Sequence, residues 1–222
     1  MARKWWSGAV QHRGPRNVQE DTALIGRLDT GFPAFVVCDG VGGQEGGEGA
    51  ARAAATVFLH ELSKWHQPGA DLSNPHGLLH TALVRARTAL PERGNTTLTG
   101  GWIDIETYKA HIIHVGDCTA YVQVDEPVRV TRPHHLVVLP NVLLASVRHP
   151  EAVDMLSLQL TPGTVLYVTS DGLDDVQPRE LMTVCPGGRE MPWDNRQAAM
   201  QAWIDARADR FTDNASLIMV GL

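Results

Sequence analysis

A chain of 222 residues, 43% of them hydrophobic, carries enough apolar side chains for a continuous core and has the length of a single domain spanning 1–222. Its formal charge of −6 comes without a basic run, which argues against nucleic acid as a partner and leaves clustered carboxylates to attract divalent cations. No apolar run approaches the length of a membrane span, the start Met-Ala-Arg-Lys-Trp-Trp lacks the apolar stretch of a leader, and Cys38, Cys118 and Cys185 form no disulfide framework, so a cytoplasmic protein is expected.

Short, β-branched apolar runs predict strands at 22–28 and 34–38. Two helical patterns follow. The first places Ala50, Ala54, Val57, Phe58 and Leu62 on one face, and the second does the same with Leu78, Leu79, Ala82, Leu83, Ala86 and Leu90. A loop is expected between them at 67–75. Further strands are predicted at 108–115, 120–124 and 165–169, then a short helix after Pro178. A helix near 196–207 with Met200, Trp203 and Ile204 on one face precedes a last strand at 215–220. This order lacks the regular strand–helix alternation of a parallel sheet and predicts a layered, antiparallel α+β fold.

Chemistry-bearing residues sit at the ends of these strands. Arg16-Asn17-Val18-Gln19-Glu20-Asp21 sets a cation before two carboxylates, which on its own is an ordinary surface ion pair. The run from Phe35 to Gly43 ends a strand on Asp39 and enters a turn with glycine at 40, 42 and 43. A carbonyl there can join a carboxylate on a hard cation. A phosphate-cradling loop fits less well, because GxxxxGK[ST] is missing and Asp39, Glu45 and Glu48 would repel a phosphate. His114-Val115-Gly116-Asp117-Cys118, Val168-Thr169-Ser170-Asp171-Gly172 and Asp213-Asn214 repeat the placement of an aspartate at a strand end. Each alone is a turn. Asp39, Asp117, Asp171 and Asp213 gathered at one sheet edge would repel one another, and divalent metals offset that repulsion. Oxygen ligands suit Mn²⁺ or Mg²⁺.

Taken in order, these five stretches resemble the metal-dependent protein phosphatases, also called type 2C. That family's signature is Arg-x-x-[Asn/Met]-Glu-Asp, Asp-Gly-x-Gly-Gly, a Thr-containing strand, Gly-Asp-Ser-Arg, Ser-Asp-Gly and a terminal Asp-Asn. The resemblance runs from Arg16 to the last strand and implies a four-layer α-β-β-α sandwich with two central antiparallel sheets flanked by helices. It further implies two core Mn²⁺ or Mg²⁺ ions. Asp39 would bridge them, Glu20 and the Gly40 carbonyl would serve one, and Asp171 and Asp213 the other. Asp117 would share a third, weaker site with Asp171. Arg16 matches the phosphate-binding arginine, Asp21 a carboxylate orienting the attacking water, and Thr96 and Thr97 structural threonines. The implied activity is hydrolysis of phosphoserine and phosphothreonine on proteins, with a Ser/Thr kinase or its substrates as partners in signalling. Two alternatives stand beside it: an inactive, phosphatase-like regulatory module, or a phosphatase for small phosphoesters or one dedicated partner.

The chain departs from that pattern in several places. Val41 and Gln44 stand where histidines occur in some members, Gly-Asp-Cys-Thr replaces Gly-Asp-Ser-Arg, and the segment 136–158 is short for the family's flap. Thr131-Arg132-Pro133-His134-His135 replaces Thr-x-Asp-His, and both histidines are expected to be solvated loop residues.

Overall fold

The computed structural model describes residues 5–42, 46–67, 69–136, 139–185 and 190–222. Among these residues, two five-stranded antiparallel sheets lie face to face. One takes, in spatial order, β1 (Trp6–His12), β12 (Ala215–Gly221), β11 (Val165–Thr169), β6 (Thr119–Gln123) and β7 (Pro127–Arg129). The other takes β10 (Asp154–Gln159), β5 (Lys109–Val115), β4 (Leu98–Asp104), β3 (Pro33–Asp39) and β2 (Asp21–Arg27). Helices α1 (Gly47–Trp65) and α2 (Pro75–Thr88) cover the second sheet and α3 (Trp193–Asp205) covers the first, giving the expected α-β-β-α sandwich. β8 (His135–Leu136) and β9 (Leu139–Leu143) form a separate ribbon. No described helix is long and apolar enough to cross a membrane.

The strand sequences dictate the layering. β3 is apolar at nearly every position because both its faces are covered. Alternation then sorts its side chains: Val36 and Cys38 cluster with Phe58, Leu62, Leu79 and Leu83 of the helices, while Phe35 and Val37 cluster with Ile112, Val168 and Ile218 between the sheets. β12 behaves alike, with Leu217 and Met219 set against Met200, Trp203 and Ile204 of α3 and Ile218 and Val220 facing the other sheet. Full burial of each large aliphatic or aromatic side chain contributes roughly 1.5–3 kcal/mol. Three apolar layers therefore hold the sandwich rigid and leave its polar end free to carry chemistry.

Some elements have no clear sequence signal. β1 reads Trp-Ser-Gly-Ala-Val-Gln-His, a poor strand sequence, and forms because all seven residues pair with β12. β4 is hidden by Gly100-Gly101, and β10 is an edge strand whose residues are only partly covered. The loop expected to run to residue 75 ends at Asn74, whose Oδ1 accepts the Gly77 N–H at 3.0 Å, because Pro75 is well placed in a first helical turn. α3 starts at Trp193, three residues before the expected onset, directly after Pro192.

Antiparallel pairing determines where the strand ends fall. Asp39 pairs with Asp21, and Thr169 pairs with both Thr119 and Leu217. The C-terminal ends of β3, β5 and β11 thus meet the N-terminal ends of β2, β6 and β12 at one end of the sandwich.

Candidate metal centre

A cleft of about 580 Å³ opens at that end, and its lining includes Arg16, Asp39, Gly40, Asp117, Asp171 and Asp213. Glu20 lines an adjoining hollow together with Arg16 and the start of α1. Asp21 lies beneath, 4% exposed. All eight residues singled out in the sequence therefore converge, although they are drawn from segments up to 197 positions apart.

Asp39 owes its position to the end of β3 and to two threonines. The Thr97 N–H and the Thr96 hydroxyl both donate to the Asp39 carbonyl at 2.8 Å, and the Asp39 N–H donates to Thr97 Oγ1 at 3.0 Å. Its peptide is fixed on both sides. Burial, then the neighbouring Asp21, Asp171 and Asp117, hold the Asp39 carboxyl well above the usual carboxylate range. Burial also raises Asp171, tempered by its hydrogen bond with Asp39. Asp117 is pushed up to about 7, first by burial and then by Asp171. Asp21 reaches about 7 chiefly through burial, although its Oδ2 accepts the hydroxyls of Ser170 and Ser216, each at 2.7 Å. At the mouth, Arg16 forms an ion pair with Asp213. Burial raises Glu20, and the Arg16 charge opposes that rise.

Gly40 is required by close approach. A Cβ there would lie 2.6 Å from the Gly47 carbonyl and 2.8 Å from the Glu20 carbonyl oxygen, so any side chain would force α1 away from the start of β2. The Gly40 N–H donates to that Glu20 carbonyl at 3.1 Å. Gly43, Gln44 and Glu45, noted in the sequence, lie outside the described residues.

The donor set fits divalent cations. One oxygen of each of Asp21, Asp117 and Asp171 is buried with no hydrogen-bond partner. Ligand atoms of Asp39, Asp117 and Cys118 lie within 4.8 Å of one another. Carboxylates gathered in this way take up either protons or metal ions, and oxygen-rich surroundings favour hard ions such as Mg²⁺ or Mn²⁺. Burial, with the nearby Asp39 and Asp117 charges, pushes the Cys118 thiol upward, which rules it out as a nucleophile of depressed pKa.

Sequence reasoning missed the residues that fasten this site. Asn214, 2% exposed, accepts the Glu20 N–H at 2.7 Å and donates to the carbonyls of Arg13 at 2.7 Å and Val18 at 3.0 Å. It thereby pins the loop that carries Arg16 and Glu20. Asn214→Ala strands these three backbone groups, so unfolding in urea is expected to show a loss of roughly 3 kcal/mol. A loss under about 1 kcal/mol would mean that the loop is held by other means. Ser170 and Ser216 play the corresponding part for Asp21. The reading of His134 as solvated is corrected: its side chain is 9% exposed and its Nε2 lies 3.3 Å from Asp154 Oδ2. His135 has a buried Nδ1 as well.

Two antiparallel sheets between helical layers are the fold this chain shares with PPM-type serine/threonine phosphatases. The S. agalactiae serine/threonine phosphatase superposes with a TM-score of 0.79 over 99% of this chain and 100% of its own, at 19% identity. The Mycobacterium tuberculosis serine/threonine phosphatase PstP/Ppp does so with a TM-score of 0.75 over 98% of both chains, at 20% identity. A structure of the PstP catalytic domain in complex with two manganese ions gives 0.73 over 98% of this chain and 97% of that one, at 19% identity. No family profile matches the sequence, and no curated protein does.

Proposed function

We propose that the chain, as one domain spanning 1–222, is a metal-dependent protein serine/threonine phosphatase. The observation that carries this reading is the convergence of Asp39, Asp117, Asp171 and Asp213, from four separate segments, on one cleft with Arg16 at its mouth. The fold it shares with serine/threonine phosphatases, one of them in complex with two manganese ions, supports the same reading. Because no carboxylate of the set is missing, the inactive regulatory module is disfavoured.

In this reading Glu20, Asp39 and the Gly40 carbonyl would hold one ion, Asp39, Asp171 and Asp213 the other, and Asp117 with Asp171 a third. Bound Mn²⁺ or Mg²⁺ supplies acidification of water and neutralisation of phosphate charge. The chain's own residues do the rest. Arg16 is half-exposed and paired with Asp213, and its guanidinium fork, freed from that carboxylate, would hold two phosphate oxygens. Asp21 keeps one oxygen on Ser170 and Ser216, which leaves Oδ1 as the atom available to orient the attacking water. Val41 offers no acid, so the leaving alkoxide would take its proton from water or from another group. Phosphorylated proteins, a kinase or its substrates among them, are the partners this reading implies, in cytoplasmic signalling.

The test is the rate on a phosphothreonine peptide as Mn²⁺ is titrated into chelator-treated protein, beside a small phosphoester under the same conditions. Activity on the peptide is expected to appear with metal and to disappear in Asp171→Asn. If neither Mn²⁺ nor Mg²⁺ elicits turnover, catalysis is refuted. Turnover of the small ester alone would replace the protein substrate with a small one.

A further inference from the structure

Asp117 stands on a turn that needs outside support. Gly116 has φ +114°, and a Cβ there would meet Thr97 Cβ and Cγ2 at 2.5 Å, so the turn is restricted to glycine, the residue with the greatest backbone freedom. What holds it lies 18 positions away. The His134 N–H donates to the Gly116 carbonyl at 2.6 Å, and the Gly116 N–H donates to His134 Nδ1 at 3.3 Å. An Nδ1 that accepts places the ring proton on Nε2, the atom facing Asp154 Oδ2 at 3.3 Å.

The ring of His134 also lies against that of His114, with centroids 4.7 Å apart. His114 is fully buried, with Thr99 Oγ1 2.7 Å from its Nδ1 and the Arg132 carbonyl 2.9 Å from its Nε2. It is a neutral floor for the segment 131–135. The His134 carbonyl accepts the Leu144 N–H at 2.8 Å, just beyond the β8–β9 ribbon, and Leu143 of that ribbon lines the cleft. One residue thus joins the Asp117 turn, the edge strand β10 and the ribbon at the rim.

We propose that His134 is a positioning residue: its Nδ1 and backbone hold Gly116 so that Asp117 faces the cleft, and its carbonyl ties the rim ribbon to that same turn. The inference rests on the reading of Asp117 as a metal ligand. Outer-sphere partners of this kind tune metal affinity by roughly 10–100-fold.

Two substitutions separate the ring's two bonds. His134→Asn keeps an acceptor near the position of Nδ1 and gives up Asp154. His134→Gln reaches toward Asp154 with an amide N–H and gives up the acceptor for Gly116. Mn²⁺ is titrated calorimetrically into chelator-treated wild type, both variants and Asp117→Ala, with thermal melts as a separate measure of folding. Asp117→Ala is expected to lose the weak class of Mn²⁺ binding while the tight ions remain. His134→Gln is expected to weaken that class at least tenfold, and His134→Asn by less than about threefold. Equal weakening in both variants, or weakening in His134→Asn alone, overturns the positioning role of Nδ1. So does unchanged binding in both while Asp117→Ala loses the class. Unchanged binding in Asp117→Ala refutes instead the ligand role of Asp117. Should His134→Gln fail to fold, Asp154→Ala decides: it spares the bond to Gly116 and is expected to bind Mn²⁺ as the wild type does, and a tenfold loss there overturns the proposal.

Discussion

Asp39→Asn is expected to lower turnover at least roughly a thousandfold and, in the absence of metal, to raise the melting temperature. Both effects have one cause. Asp39 stands among Asp21, Asp117 and Asp171, and burial together with those charges holds its carboxyl well above the usual range. Without metal the folded protein must carry that carboxyl protonated or suffer repulsion. An asparagine of the same shape donates its amide toward Asp171 and removes one acid from the cluster. Relief of about 1–2 kcal/mol corresponds to roughly 2–8 °C for a chain of this length. With metal the order reverses, because wild type gains stability from ions that bind only the folded state and the variant lacks the shared ligand. Melting curves in chelator and in Mn²⁺, beside the peptide assay, check this. Turnover within tenfold of wild type, or an equal Mn²⁺ stabilisation of both proteins, would remove Asp39 from the centre of the site.

The sequence made the cluster legible because each aspartate closes or opens an apolar run, and such a run is a strand whatever its partners. Asp39 after Phe35-Val36-Val37-Cys38 and Asp171 after Val168-Thr169-Ser170 could be placed at sheet ends before any pairing was known. The layered, antiparallel α+β order was equally legible from the succession of strands and helices, whereas the pair of central sheets was implied by the family resemblance. What stayed hidden depends on pairing between remote segments. β1 takes its strand character from β12, about two hundred positions later, and β4 carries two glycines where a strand signal would stand. The role of His134 requires β5 beside β10, which sets Asp154 opposite His114, and no local pattern encodes that register. Asn214 and Ser170 lay inside quoted motifs, yet their partners at Glu20 and Asp21 become visible only when the last strand lies against the first segment. A residue that acts through its own chemistry can be read from its type, whereas one that acts through a neighbour's backbone cannot.

Raising the pH from about 6.5 to about 8.5 is expected to destabilise the chelator-treated protein by roughly 1.5 kcal/mol, or about 5 °C in melting temperature, and Mn²⁺ is expected to reverse that slope. The direction follows from which state holds protons more tightly. Asp21 and Asp117 titrate near 7 when folded, against an ordinary value of 3.8, so the folded protein keeps two protons that the unfolded chain has already released. Their contribution is complete below the unfolded value and is lost progressively as pH rises from there through about 7, each group giving up its last roughly 0.8 kcal/mol across the window. Asp39 and Asp171, also raised, act in the same direction. Buried histidines oppose this at lower pH: His114, lowered to about 4 by burial, gains stability for the fold as pH climbs toward its ordinary 6.5. The window therefore starts where most of that opposing gain is complete. Glu180, held near 2 by Arg210, is ionised throughout the window and adds no slope. Metal exchanges those protons for cations, and because ions compete with protons for the same oxygens, occupancy and stability then grow with pH. A chelated protein whose melting temperature stays level within about 2 °C over this window would show that the acidic cluster is solvated and relaxed, and with that the case for a centre built to take metal ions would fail.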